Sequence, residues 1–459
     1  MWGQCLRMSC ESSHAGARAR AARRIKRAGV VLVGLSVLCW APAVTTAATQ
    51  EELEARVQGL AEQLEAVKHE LAELKQQRAS VLPQAGAPGA AALPGVASGS
   101  ALPASTAAGS SGGPTFFGYG EINYSRPSGD ASATTADLAR FVLGAGYRFD
   151  ESTRFVSELE LEHAVSSATD VGEVEVEQAY IEHELGRALY ARAGLILIPS
   201  GTLNESHEPT RYYGVFRNFV ETAIIPSTWR EGGVALQGLT SGGLRWDLGV
   251  TTGFDLSKWD ATSAAGQQSP LFSVHQELSL ARARDLSGFG ALNYTGIPAL
   301  RIGGSLFTGG ASQGQAGLPS ASVTLWEGHV RWAPGPWDLA GLYARGHISG
   351  TGQINLALLG NRSLVPESFF GWYLQAALRV LERGNWSLTP FVRHERFNPA
   401  AGYADLGPGL TPAALSDRKV WTAGLNWMIA PGVVIKADYL NFQDTAARNR
   451  FDLGAGYQF

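Results

Sequence analysis

Phe451-Asp452-Leu453-Gly454-Ala455-Gly456-Tyr457-Gln458-Phe459, the last nine residues of the chain, alternate strictly in character. Side chains of an extended strand alternate with a period of two, so Phe451, Leu453, Ala455, Tyr457 and Phe459 share one face and Asp452, Gly454, Gly456 and Gln458 the other. A frayed polar tail costs nothing, whereas a terminal phenylalanine gains only where its ring is buried or sits at an apolar boundary. The same phrase recurs at 141–149 as Phe-Val-Leu-Gly-Ala-Gly-Tyr-Arg-Phe. Two strands with Tyr and Phe at the same end predict an aromatic girdle on a transmembrane barrel.

Working back from this terminus, the period of two holds to Thr115. Strands are expected near 116–125, 140–149, 153–163, 175–185, 188–198, 231–240, 243–254, 288–296, 299–309, 321–333, 336–347, 368–381, 385–396, 418–429, 432–443 and 450–459. The expected fold is therefore all-β, a 16-stranded antiparallel transmembrane β-barrel, wide enough for an aqueous lumen. The connections test this independently. Turns such as 150–152, 186–187, 241–242, 297–298, 334–335, 382–384 and 430–431 are short. They alternate with loops at 126–139, 164–174, 199–230, 255–287, 310–320, 348–367, 397–417 and 444–449, most of them much longer. A soluble sandwich has no reason to sort its loops by parity.

The segments before the barrel are of another kind. Arg18, Arg20, Arg23, Arg24, Lys26 and Arg27 precede an apolar run, Ala28 to Trp40, and then small residues to Ala48, the pattern of a secretory signal over 1–48. Leu53, Val57, Leu60, Leu64, Val67, Leu71 and Leu74 make a heptad seam that predicts a coiled coil over 49–78. A helix this short needs copies of itself or another surface to pack on. Residues 79–114 are a linker of Ala, Gly, Ser and Pro.

Charge narrows the function classes. Charged residues are 17% of the chain, and all three cysteines, Cys5, Cys10 and Cys39, precede residue 48. From Thr115 onward there are 26 Lys and Arg against 33 Asp and Glu, a net of about minus seven, which argues against a nucleic-acid partner. No nucleophile elbow or phosphate-binding loop occurs. His207 and Glu208, adjacent along the chain, point apart if extended and so make a poor metal pair. No catalysis, cofactor or metal is expected.

The most informative loop is 199–230. It carries Asn204-Glu205-Ser206-His207-Glu208-Pro209 and then Ile224-Ile225-Pro226-Ser227-Thr228-Trp229-Arg230-Glu231. In these two motifs the chain resembles the phosphate-selective porin O and P family, and Pro390 to Phe397 and the terminal Phe fit as well. The resemblance implies a trimeric sixteen-stranded porin whose third outer loop narrows the lumen. It also implies an outer-membrane setting in a Gram-negative bacterium, among lipid and lipopolysaccharide, with the coiled coil in the periplasm. Tyr457 and Phe459 resemble the signal read by the barrel-assembly machinery.

Glu205, His207, Glu208, Arg211 and Arg217 are the loop residues expected at the constriction. Arg192, Arg245, Glu158, Glu160 and Glu162 are expected on the facing wall, where small ions and solutes would pass. Each of these charges has a second reading, pairing with a neighbour to fix the loop. Opposed arginine and carboxylate walls predict a general porin of weak selectivity. Ten arginines on the lumen face keep a phosphate or oxyanion channel as one alternative, and an envelope tether anchored by the barrel is another.

Overall fold

The computed structural model describes residues 113–167 and 169–459. The expected signal, the coiled coil and most of the linker lie outside the described residues.

Sixteen strands follow the alternating pattern closely. They begin with β1 (Pro114–Pro127), β2 (Thr135–Arg148), β3 (Thr153–Glu162), β4 (Val174–Gly186) and β5 (Leu189–Leu197). Next come β6 (Arg230–Leu239), β7 (Leu244–Thr252), β8 (Leu286–Tyr294), β9 (Leu300–Gly310), β10 (Ser322–Trp332) and β11 (Trp337–Ile348). Strand β12 (Ser368–Leu378) resumes at Leu381–Arg383 after a short break, and both pieces pair with β13 (Trp386–Gly402). The last are β14 (Arg418–Ala430), β15 (Val433–Phe442) and β16 (Arg450–Gln458). Every strand pairs antiparallel with its sequence neighbours, and β16 returns to β1 from Tyr119↔Gln458 to Pro127↔Arg450. The sheet is closed, so it has no edge.

Alternation sorts the side chains between two environments. On β16 Phe451 and Leu453 are exposed on the outer face, while Asp452 is wholly buried within. The seam explains two glycines. Tyr457 lies opposite Gly120, and a Cβ on Gly120 would stand 2.5 Å from its hydroxyl. The Phe459 ring occupies the corresponding space over Gly118, and the two residues exchange backbone hydrogen bonds of 2.9 and 3.1 Å. Aromatic rings laid over cross-strand glycines restore the packing that glycine forgoes.

Two departures from the sequence expectations matter. Strand β13 runs on to Gly402, well past 396. The interior is also not uniformly polar. Ile198, Val220, Ile224, Ile225, Trp229, Phe254, Leu271, Phe307, Ile354 and Phe369 belong to one buried cluster that joins the loops at 198–229, 253–285 and 349–367 to inward-facing strand residues. Two of these loops contain short helices, α1 (Ala265–Gln268) and α2 (Thr351–Ala357). Long loops lose much conformational entropy on ordering and need an apolar core of their own to offset it.

Deleting Phe459 removes its two hydrogen bonds and its cover over Gly118. When urea-unfolded protein is refolded into detergent, the yield of barrel that migrates as folded on an unheated SDS gel should fall several-fold. An unchanged yield would show that the seam does not depend on it.

Candidate functional site

Residues 198–229 connect β5 to β6 and turn inward rather than away. Three hydrogen bonds to the Asn204 side chain close the base of this loop. Its Nδ2 donates to the carbonyls of Ile198 at 2.7 Å and Trp229 at 2.8 Å, and its Oδ1 accepts from the Trp229 N–H at 2.6 Å. Glu221, in a wide turn at Val220–Ile224, gathers the opposite side. It accepts from the Leu203 N–H at 2.8 Å, the Asn218 side chain at 2.8 Å and the Tyr373 hydroxyl at 3.1 Å. The Ile224–Glu231 motif is thus mostly a packing element, with Trp229 set 4.5 Å from the Phe307 ring and 5.3 Å from that of Phe254.

The loop crosses the interior and ties to strands around much of the wall. Tyr212 donates to Glu121 on β1 at 2.6 Å, and Tyr213 to Asp338 on β11 at 3.1 Å. The Val215 N–H reaches Asp438 on β15 at 2.6 Å, and the Phe219 N–H reaches Glu395 on β13 at 2.7 Å. Asn426 on β14 accepts from the Gly214 N–H and donates to the Tyr212 carbonyl. Lys436 sits 3.6 Å over the Tyr212 ring. Small residues admit this contact: a Cβ on Gly456 would come within 2.5 Å of Pro209. The polar face of the closing strand is therefore glycine-rich because the loop lies against it.

The ten wall and loop positions expected from the sequence fall into four groups. Glu205 joins Arg245 at 2.6 Å and stands 4.0 Å from Arg192, which itself binds Glu182 at 2.7 Å; Arg245 also holds Asp247 at 2.9 Å. These three residues fix the loop to β5 and β7. Arg217 is 9% exposed and spans the loop's own turns, donating to the Thr228 hydroxyl at 2.8 Å, to Ser227 and to the His207 carbonyl. Glu158, Glu160 and His207 are buried together beneath the loop, beside the half-buried Glu208, while Glu162 stands half-exposed at 3.8 Å from Arg140. Burial, and after it the charge of Arg217, lowers the His207 pKa, so the imidazole is neutral.

Arg211 alone of these residues is exposed, with no ion pair among the described residues. It borders a cavity of about 30 Å³ together with Tyr213, Arg331, Gln375 and Arg393. Arg331 is paired with Asp338 at 2.9 Å and Arg393 with Glu395 at 3.0 Å. The arginines expected on the lumen face are thus largely compensated.

Sequence reasoning missed Asn204 and Glu221 as the organisers of the loop, and Glu177 altogether. Asn204 and Glu221 stand inside or beside the quoted motifs, which was the available signal. Glu177 had none, because a one-residue bulge shifts the phase of its strand.

No family model matches the chain. A protein of Aquifex aeolicus (strain VF5), described as uncharacterized, is 29% identical over 338 residues, 72% of this chain and 75% of that one. Among solved structures, OmpF of Salmonella typhi in complex with daunomycin is 12% identical, covers 75% of this chain and 97% of that one, and has a TM-score of 0.52. The anion-selective porin from Comamonas acidovorans (TM-score 0.48, 13% identity, 76% of this chain and 100% of that one) also matches. So does the DcaP channel of Acinetobacter baumannii (0.48, 13%, 76% and 98%). The likeness is one of fold: the chain forms a sixteen-strand barrel of the porin type.

Replacing Asn204 with alanine leaves the Trp229 N–H unpaired and removes one of the two donors from each of the Ile198 and Trp229 carbonyls, a cost of roughly 2–4 kcal/mol. Tryptic cleavage after Arg211 should accelerate on the order of a hundredfold if cleavage follows local opening. An unchanged rate would place the loop's stability elsewhere.

Proposed function

We propose that the protein is an outer-membrane porin of a Gram-negative bacterium, passing ions and small hydrophilic solutes down their gradients without catalysis. The observation that carries this reading is the long loop folded across a closed barrel whose inward side chains are polar and charged. Such an interior suits water and the outer face suits lipid. In this reading residues 199–230 form the constriction, with Arg211 on the path and the other loop charges shaping it. Selectivity is weak, because the arginines near the path share it with Asp338, Glu395, Asp247 and Glu205. An oxyanion-selective channel is the second reading, favoured by Arg211, Arg331 and Arg393 around one cavity.

A homotrimer is proposed with it. In this reading a second copy packs on the outer face at the apolar groove of about 780 Å³ over Ile181, Ala193, Val234, Leu236, Leu248 and Val250.

Planar-bilayer recordings test the function. Discrete conductance steps are expected, with a reversal potential in a KCl gradient close to zero. The absence of conductance would refute the porin, and strong anion preference with block by phosphate would favour the second reading. Arg211→Glu should move the reversal potential toward cations. Gly456→Val should displace the loop at Pro209 and raise single-channel conductance while the barrel still migrates as folded; an unaltered conductance would remove the loop from the path.

A further inference from the structure

Beneath residues 204–209 the loop covers a set of acids that its own arginines do not neutralise. Glu158 and Glu160 come from β3, Glu177 from β4 and Glu208 from the loop, and His207 stands among them. Glu177 is wholly buried, and Glu160, His207 and Glu158 are 1%, 4% and 8% exposed. One candidate ligand atom from each of Glu158, Glu177 and His207 lies within 4.8 Å of the other two. Ligand atoms bound at about 2.0–2.2 Å to one tetrahedral ion stand roughly 3.3–3.6 Å apart, so small side-chain shifts bring these three onto a single ion.

Glu177 reaches this place through a β-bulge. Glu158 pairs with Gln178 but Leu159 pairs with Val176, so Glu177 is the additional residue on β4. Both Glu177 and Gln178 consequently point inward, and Val176 and Val174 fall on the exposed outer face. Strict alternation from Tyr180 would have turned Glu177 outward. Bulges re-aim single side chains in this way at functional places.

His207 supplies an observation independent of the acids. Its Nδ1 is 2.9 Å from the Asn204 carbonyl, which can only accept, so Nδ1 carries a proton and, in the neutral imidazole, Nε2 presents a lone pair. That lone pair faces Glu177 Oε2 at 3.8 Å. Held face to face in a buried site, the two atoms need a positive group between them, a proton on Nε2 or a metal ion. An imidazole oriented by a backbone carbonyl is the usual arrangement of a histidine ligand. The carboxylates are oriented too: Tyr119 donates to Glu177 Oε2 at 2.9 Å and Gln178 to Glu158 Oε2 at 2.6 Å. Glu177 Oε1 and Glu208 Oε2 are buried without a hydrogen-bond donor among the described residues.

Compensation by protein charge falls short. Arg140 contacts Glu160 at 3.2 Å but shares itself with Glu121 and Glu162, and Arg217 turns to hydroxyls and a carbonyl. Buried carboxylates without a counter-charge are costly, and metal coordination is one of the standard remedies. One imidazole nitrogen among carboxylate oxygens suits Zn²⁺ better than Ca²⁺, which prefers oxygen alone.

We propose that Glu158, Glu177 and His207, with Glu208 at the margin, bind one Zn²⁺ ion that fastens residues 204–209 to β3 and β4. The site is structural and goes beyond the channel reading; it holds whether or not the barrel conducts. The test uses the full chain refolded in detergent, freed of metal with a chelator and titrated calorimetrically with ZnCl₂. Saturable binding of one Zn²⁺ per chain is expected. Affinity should drop at least tenfold in Glu177→Gln, a variant of nearly unchanged shape, and equally in Glu158→Gln should the first fail to fold. Zn²⁺ should also slow tryptic cleavage after Arg211 in the parent protein and not in the variant. No saturable binding, equal binding by parent and folded variant, or preference for CaCl₂ over ZnCl₂ would each overturn the assignment. Conductance in bilayers is a separate readout, so failure of the zinc site leaves the porin reading intact.

Discussion

Closure of β16 onto β1 is the constraint on which the rest depends. Once the last strand pairs with the first, each inward position belongs to a confined interior and each outward position to an apolar exterior, and period-two alternation assigns every residue to one or the other. Arginines and carboxylates have no outward option, so they collect inside and must find partners there. The ion pairs between Arg192 and Glu182, Arg245 and Asp247, and Arg331 and Asp338 follow from that confinement before any function is considered. They also blunt the field that unpaired arginines would impose on a passing ion.

A lined interior can then hold a loop. Residues 198–229 are ordered by hydrogen bonds to wall carboxylates and amides, many of them to backbone N–H groups, as at Val215 and Phe219. Inward acids thus do double duty, compensating arginines and receiving the loop's backbone donors. The apolar cluster around Trp229 anchors the other end of the same loop. Between these fixtures lies the Glu158, Glu177 and His207 pocket, where the wall offers more negative charge than the loop returns.

The strands were legible because their signal is local: alternation over about ten residues and a loop parity that survives small errors in boundaries. Most strand limits came within a few residues of expectation, the exceptions being the early start of β2 at Thr135 and the extension of β13 to Gly402. The importance of the 204–209 and 224–231 runs was legible too. Their internal division of labour was not, since it depends on which wall residue each side chain meets.

Sequence by itself determined the number of strands, their faces, the sorting of short turns from long loops, and which loop carries the unusual residues. These follow from the fixed geometry of an extended chain. Only the tertiary structure decided that the glycines of β16 make room for Pro209, that Arg217 braces the loop instead of facing a solute, and that Glu177 points inward. Each depends on contacts between residues far apart in the chain, or on a one-residue bulge that shifts the phase of a strand without altering its pattern. Local alternation carries no record of either.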